Sequence, residues 1–273
     1  MKKFKKGDIV ARKSYEKDII FYIKKIIKNS NSEVAILCGL FERIEADSNV
    51  DDLILLDHNF VKKMFSTEEK RLSSRIDTKN NDYRFNSFED SLNLRKKIIT
   101  GKILHLDGDK KYAGKTEMYY KKMGLNAIVK NIPENKQSKM VKQLLMIYNP
   151  DILVITGHDG MIKNNAVNDI FNYRNSRHFI ETIKQARKFE KVSKKKLVIF
   201  AGACQSYFEA LISAGANFAS SPARILIDFL DPLIVAKNVA ETENMKYVTI
   251  DDFASELRDG KNGVDGIGAR GKK

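Results

Sequence analysis

Asp151-Ile152-Leu153-Val154-Ile155-Thr156-Gly157-His158-Asp159-Gly160 is the stretch whose reading decides the fold. Its apolar run does not alternate with polar residues, so it describes a strand covered on both faces, as in a parallel sheet. The glycines that follow let the backbone turn sharply at the strand end. The same pattern repeats outward in both directions. Apolar runs at 103–106, 127–129, 197–200 and 216–219 read as further strands, and amphipathic spacing predicts helices over 111–123, 136–148, 176–190 and 205–213. Strand and helix in alternation predict an α/β fold, a parallel sheet in three layers with helices on both faces.

Four segments are expected on this reading: a small β unit over 1–57, a basic and partly helical connector over 58–98, the α/β domain over 99–240, and a C-terminal extension over 241–273. The first holds short β-rich runs at 9–12, 19–23 and 34–37, separated by turns at 6–8 and 29–32, which suggests a small SH3-like barrel. Helical spacing in the connector is read at Phe85, Phe88, Leu92 and 94–97. Its Arg71, Arg75 and Arg84 are expected to be accessible to an arginine-directed protease.

Composition narrows the function classes. Hydrophobic residues make up 42% and charged residues 31% of 273, as in an ordinary globular chain. No apolar run approaches the roughly 20 residues that cross a bilayer. Met1-Lys2-Lys3-Phe4-Lys5-Lys6 starts like a signal peptide, but Gly7-Asp8 follows where an apolar stretch is needed, so that route of secretion is not expected. Two distant cysteines, Cys38 and Cys204, imply neither a disulfide framework nor a zinc cluster and fit a reducing compartment. The net charge is +14, concentrated in residues 101–200 with 20 basic and 9 acidic groups. A solvated lysine coat is preferred over a polyanion site, because no nucleic-acid-binding signature accompanies the charge.

In open parallel sheets, ligands gather beyond the carboxyl ends of the strands. Three motifs fall there: Asp107-Gly108-Asp109, the 156–160 segment, and Ala201-Gly202-Ala203-Cys204-Gln205-Ser206. His158, between glycines, reads as a cleft-facing proton carrier, against the plainer reading of a turn cap. Cys204 stands between a strand and a predicted helix start, where helix amides favour a thiolate and supply oxyanion donors; its plainer reading is a small buried residue. The pair carries the case, since residues after successive strands are expected to share one cleft, as base-assisted thiol attack requires. Asp107-Gly108-Asp109 reads as a turn with two solvated carboxylates in preference to a cation site. Cys38 and His105 read as core residues; His58 and His178 have no identified partner. No cofactor is expected, since neither a Walker loop nor a Gly-x-Gly-x-x-Gly turn is present. A non-catalytic, flavodoxin-like regulatory or binding module is the rival reading.

Several segments resemble the YabG family of sporulation-specific peptidases: 7–12, 101–109, 151–160, Asn172-Tyr173-Arg174-Asn175-Ser176, 200–208 and 215–222. The resemblance spans nearly the whole chain and is shared more distantly with caspase- and gingipain-like cysteine peptidases. It implies a caspase-like catalytic domain, His158 and Cys204 as the catalytic pair, and cleavage of spore coat or cortex-related precursor proteins after arginine. It also implies action in the mother-cell cytoplasm or the spore coat, with no membrane or nucleic-acid partner. In the wider group a glycine follows the histidine at once; here Asp159 intervenes, so Gly157 and Gly160 remain candidate oxyanion donors beside Cys204. An arginine-reading pocket needs a carboxylate, for which Asp159, Asp228 and Asp231 are candidates by position.

Overall fold

The computed structural model describes residues 4–29, 32–80, 100–162 and 166–273. The N-terminal part is an antiparallel sheet of β1 (Ile9–Arg12), β2 (Ile20–Asn29), β3 (Ser32–Gly39), β4 (Glu45–Asn49) and β5 (Leu53–Leu55), in the order β4-β3-β2-β1-β5. Among the described residues no ladder joins β4 to β5, so no closed barrel is seen. Only a single 3-10 turn, Val50–Asp52, links these two short edge strands. The sheet instead completes its core against the rest of the molecule. Val10, Phe21, Ile23, Ala35 and Leu37 share one buried cluster with Cys204 and Ile227.

A long helix, α1 (His58–Asn80), follows. Asp57 starts it by accepting the Asn59 and Phe60 amides at 2.8 and 3.1 Å. The helical spacing read at 85–97, and Arg84, lie outside the described residues. Arg71 and Arg75, expected to be accessible, are ion-paired to buried Asp228, with 38% and 18% of their side chains exposed.

The main sheet contains β6 (Ile103–Asp107), β7 (Ala127–Asn131), β8 (Ile152–Thr156), β9 (Val198–Ala201) and β10 (Phe218–Ser220), all parallel, with β12 (Val264–Gly266) antiparallel at one edge. Its order is β12-β10-β9-β8-β6-β7. A two-stranded ribbon of β11 (Tyr247–Val248) and β13 (Ala269–Arg270) lies beside it. Among the described residues five α-helices complete this part: α2 (Lys110–Lys122), α3 (Glu134–Tyr148), α4 (Ser176–Ser193), α5 (Phe208–Ser213) and α6 (Asp231–Glu241).

Alternate strand residues feed two buried clusters, which is why the strands read as unbroken apolar runs. Ile103, Ile152, Val154, Val198 and Phe200 pack with α2 and α6. Leu104, Leu106, Leu153, Ile155 and Ile199 pack with α3, α4 and α5. Residues 241–273 join the first cluster through Val248, Ile250, Phe253 and Leu257. Chain order reverses direction between β6 and β8, creating a crevice beyond their carboxyl ends. Among the described residues no helix is long and apolar enough to cross a membrane.

Candidate active site

At the end of β6, neither carboxylate of Asp107-Gly108-Asp109 is the solvated turn residue expected. Asp107 is wholly buried. Asp109 caps α2, its Oδ1 accepting the Lys111 and Tyr112 amides at 2.8 and 3.0 Å, while Tyr22 donates to its Oδ2 at 2.7 Å. Among the described residues no three His, Cys, Asp or Glu side chains converge to hold a metal ion.

His158 follows β8 and is 3% exposed. Its Nδ1 lies 3.9 Å from Asp109 Oδ2, and its buried Nε2 has no hydrogen-bond partner. Tyr112 meets the imidazole edge-on at 5.7 Å. Burial lowers the pKa of the ring, and the nearby Asp109 charge opposes that shift. A neutral imidazole with one nitrogen uncommitted is the form that can accept a proton.

Glu134, the first residue of α3, escaped the sequence reading. Its Oε1 accepts the His158 amide at 2.8 Å, so it holds the histidine loop from behind. Gly108 and Gly157 make room for it: a Cβ at either position would overlap the Glu134 carboxylate. Burial, partly offset by the His158 amide, pushes its pKa up to about 7. Nothing local distinguishes this glutamate from an ordinary first-turn acid; only the sheet topology brings it between two strand ends.

Cys204 leaves β9, the neighbour of β8, and is fully buried. The Ile227 amide donates to its Sγ at 3.3 Å. Burial pushes the thiol pKa up to about 12 against the opposing effect of that amide. The expected helix start is absent at Cys204, because α5 begins only at Phe208 and spans six residues. Gln205 instead takes a left-handed conformation, with φ 54°. Ser206 and Ser220 hold the turn through Ala203, each bond 2.9 Å long. No hydrogen bond joins His158 to Cys204. Burial raises the pKa of the Tyr112 phenol, and the Arg43 charge opposes that shift.

Asp159 is committed to holding the site together. It accepts from the Gly160 and Asn175 amides and from the hydroxyls of Ser176 and Ser206, joining the His158 loop, the start of α4 and the Cys204 turn. Burial raises its pKa to about 6 despite these donors. The Gly160 amide is thereby spent on Asp159, and Gly157 packs on Glu134. Asp228 pairs with Arg71 and Arg75 at 2.6 and 2.7 Å, and Asp231 pairs with Arg75 at 3.1 Å. His105 is a core residue as expected, bonded to Tyr120 and Thr156. Cys38, 1% exposed, has its pKa pushed up to about 12 by burial.

The turn between β3 and β4 covers this crevice. The Asp159 amide donates to the Arg43 carbonyl at 3.2 Å, and the Glu45 amide donates to the Asp159 carbonyl at 2.9 Å. Gly160 permits this approach, since a side chain there would strike the Glu45 carbonyl. Arg43 is wholly buried and pairs with Asp107 at 2.7 Å. Beside the turn runs an open cleft of about 880 Å³, bordered by Asp47, Ser48, Met161, Arg174 and Gln205.

Fold and site together define a class: a doubly wound α/β protein carrying an imidazole and a thiol on neighbouring strand ends, beneath a cap from its own N-terminal sheet. The model of one family, YabG peptidase U57, matches residues 5–273, and the chain belongs to that family of peptidases. It is 38% identical over 279 residues to the sporulation-specific protease YabG of Bacillus subtilis (strain 168), a match covering 98% of this chain and 96% of that protein. No solved structure matches it.

Proposed function

We propose that this chain is a cysteine endopeptidase of spore formation, with Cys204 as nucleophile and His158 as general acid and base. Its substrates are spore coat or cortex-related precursor proteins cleaved after arginine, in the mother-cell cytoplasm or the spore coat. The supporting observation is the arrival of His158 and Cys204 beyond the carboxyl ends of the adjacent parallel strands β8 and β9, an arrangement similar to that of caspase- and gingipain-like peptidases. Membership of a peptidase family and the name of the Bacillus subtilis relative support the sporulation role.

His158 Nε2 takes the thiol proton, and the sulfur adds to the scissile carbonyl carbon. The protonated ring then gives its proton to the departing amine, leaving a thioester. Water, deprotonated by the same ring, hydrolyses that thioester and restores the thiol. The Asp159 amide, at the position where caspase- and gingipain-like peptidases have glycine, is available as an oxyanion donor whenever the Arg43 carbonyl leaves it.

Cys204→Ala and His158→Ala are each expected to abolish cleavage of an arginine-containing precursor, with a loss of at least about 10³-fold, while circular dichroism stays unchanged. Undiminished cleavage by Cys204→Ala would remove the assigned nucleophile.

A further inference from the structure

We propose that the crevice filled by Arg43 is the arginine subsite of this peptidase, with Asp107 as its reader, and that the 40–44 turn occupies it as an internal, displaceable ligand. The proposal rests on the cysteine-peptidase reading of His158 and Cys204.

Arg43 lies as a bound arginine residue would. Its carbonyl oxygen takes the first amide beyond His158, at 3.2 Å. Its guanidinium lies 4.5 Å from the Tyr112 ring centroid and 5.5 Å from that of Phe229, and Nη1 ends 2.7 Å from Asp107 Oδ2. A carboxylate floor between aromatic walls is the chemistry that separates arginine from other side chains. Asp107 is also the carboxylate that a chain entering from the His158 side reaches. Asp159 is committed to its loop, while Asp228 and Asp231 hold arginines that enter from α1.

The Arg43 guanidinium is held mainly through Nη1, which donates to Asp107 at 2.7 Å and to Thr156 at 3.3 Å. Buried Nε and Nη2 have no hydrogen-bond partner, and neither has Glu42 Oε2 in the same turn. Asp107 itself demands a cation. Its neighbour His105, 3.9 Å away, is kept neutral by burial and by the Arg43 charge, so the guanidinium alone balances the carboxylate. Withdrawing Arg43 without replacement leaves a buried, unpaired charge, a strongly unfavourable state. An incoming arginine restores the pair, so exchange of one guanidinium for another is the route by which the site opens, and a substrate lacking one cannot follow it.

The test uses the full chain and agmatine, a free guanidinium probe. Arg43→Ala is expected to bind agmatine at least tenfold more tightly than wild type by calorimetry, and adding Asp107→Asn in that background is expected to abolish the gain. Hydrolysis of a peptidyl-arginyl amide is expected to rise at least tenfold in Arg43→Ala and to collapse in the double variant. Should Arg43→Ala not fold, Arg43→Lys keeps a cation on Asp107 and is expected to lie above wild type in agmatine affinity. Agmatine affinity equal to wild type in whichever of these variants folds overturns the proposal, even where Cys204 proves catalytic. Agmatine binding that depends on Asp107, with no hydrolysis and an inert Cys204, leaves the subsite standing and removes the peptidase reading instead.

Discussion

Glu134 joins two strand ends through a single oxygen: the His158 amide binds it, and Gly108 and Gly157 flank it without side chains. Burial raises its folded pKa from the ordinary 4.5 to about 7. A carboxyl raised in the fold contributes stability that is fully present below its unfolded pKa and is lost as pH climbs through its folded value. Glu134→Gln keeps the acceptor oxygen and removes the ionisation. Its melting temperature is therefore expected to match wild type near pH 4.5 and to exceed it at pH 8, in circular dichroism melts at the two values. A variant that melts below wild type at pH 8 would show that the charged carboxylate is needed there. The positions of His158 and Cys204 beyond strand ends were legible because each follows an apolar run and lies beside glycine or a turn. Glu134, Tyr112 and Arg43 were not, since each reaches the crevice from a distant segment and none has an unusual local context.

The strands of the main sheet were readable because both their faces are buried, and helices α2 to α4 were readable because each buries one stripe. Of the remaining long helices, α6 was missed and α1 was read only as part of a partly helical connector, for opposite reasons. In α6, Asp231–Glu241, apolar residues surround the axis almost completely, and no stripe marks it as a helix. In α1 the apolar spacing breaks at Glu68 and Glu69, and charge does much of the anchoring: Arg71 and Arg75 reach Asp228, and Arg75 also meets Asp231 and the Glu256 carbonyl. Leu72 adds a single fully buried contact to the main core. Breaking a buried ion pair typically costs about 3–5 kcal/mol. Arg75 is 18% exposed and Arg71 remains on Asp228, which reduces the effect. Arg75→Ala is expected to lose about 2 kcal/mol, seen as a lower urea midpoint with an unchanged slope. An unmoved midpoint would mean that Leu72 and its apolar neighbours hold α1 unaided.

At the scale of the whole molecule, the N-terminal sheet and the α/β sheet are two parts of one packed body. Cys204 and Ile227 of the larger part complete the core of the smaller one, and Arg43 of the smaller part neutralises Asp107 of the larger. The β unit read from the first 57 residues is present as an antiparallel sheet without a closed barrel among the described residues, and its second layer comes in part from the larger unit. The same coupling separates two ways of uncovering His158 and Cys204. If the cap had only to be cut away, a chain of residues 58–273 would be a stable, active enzyme. If the 40–44 turn moves while the sheet behind it stays, that shortened chain keeps a buried carboxylate with no cation and an apolar face open to water. The unpaired Asp107 alone costs about 3–5 kcal/mol, and a chain of this size loses about 2–4 °C per kcal/mol. A drop of roughly 6–20 °C follows from that charge before the exposed Cys204 and Ile227 side is counted. Residues 58–273 are therefore expected to aggregate, or to melt at least 6 °C below the full chain, without gaining arginyl-amide hydrolysis over it. A soluble, active fragment melting within 2–3 °C of the full chain would assign activation to loss of the whole cap in place of movement of its turn.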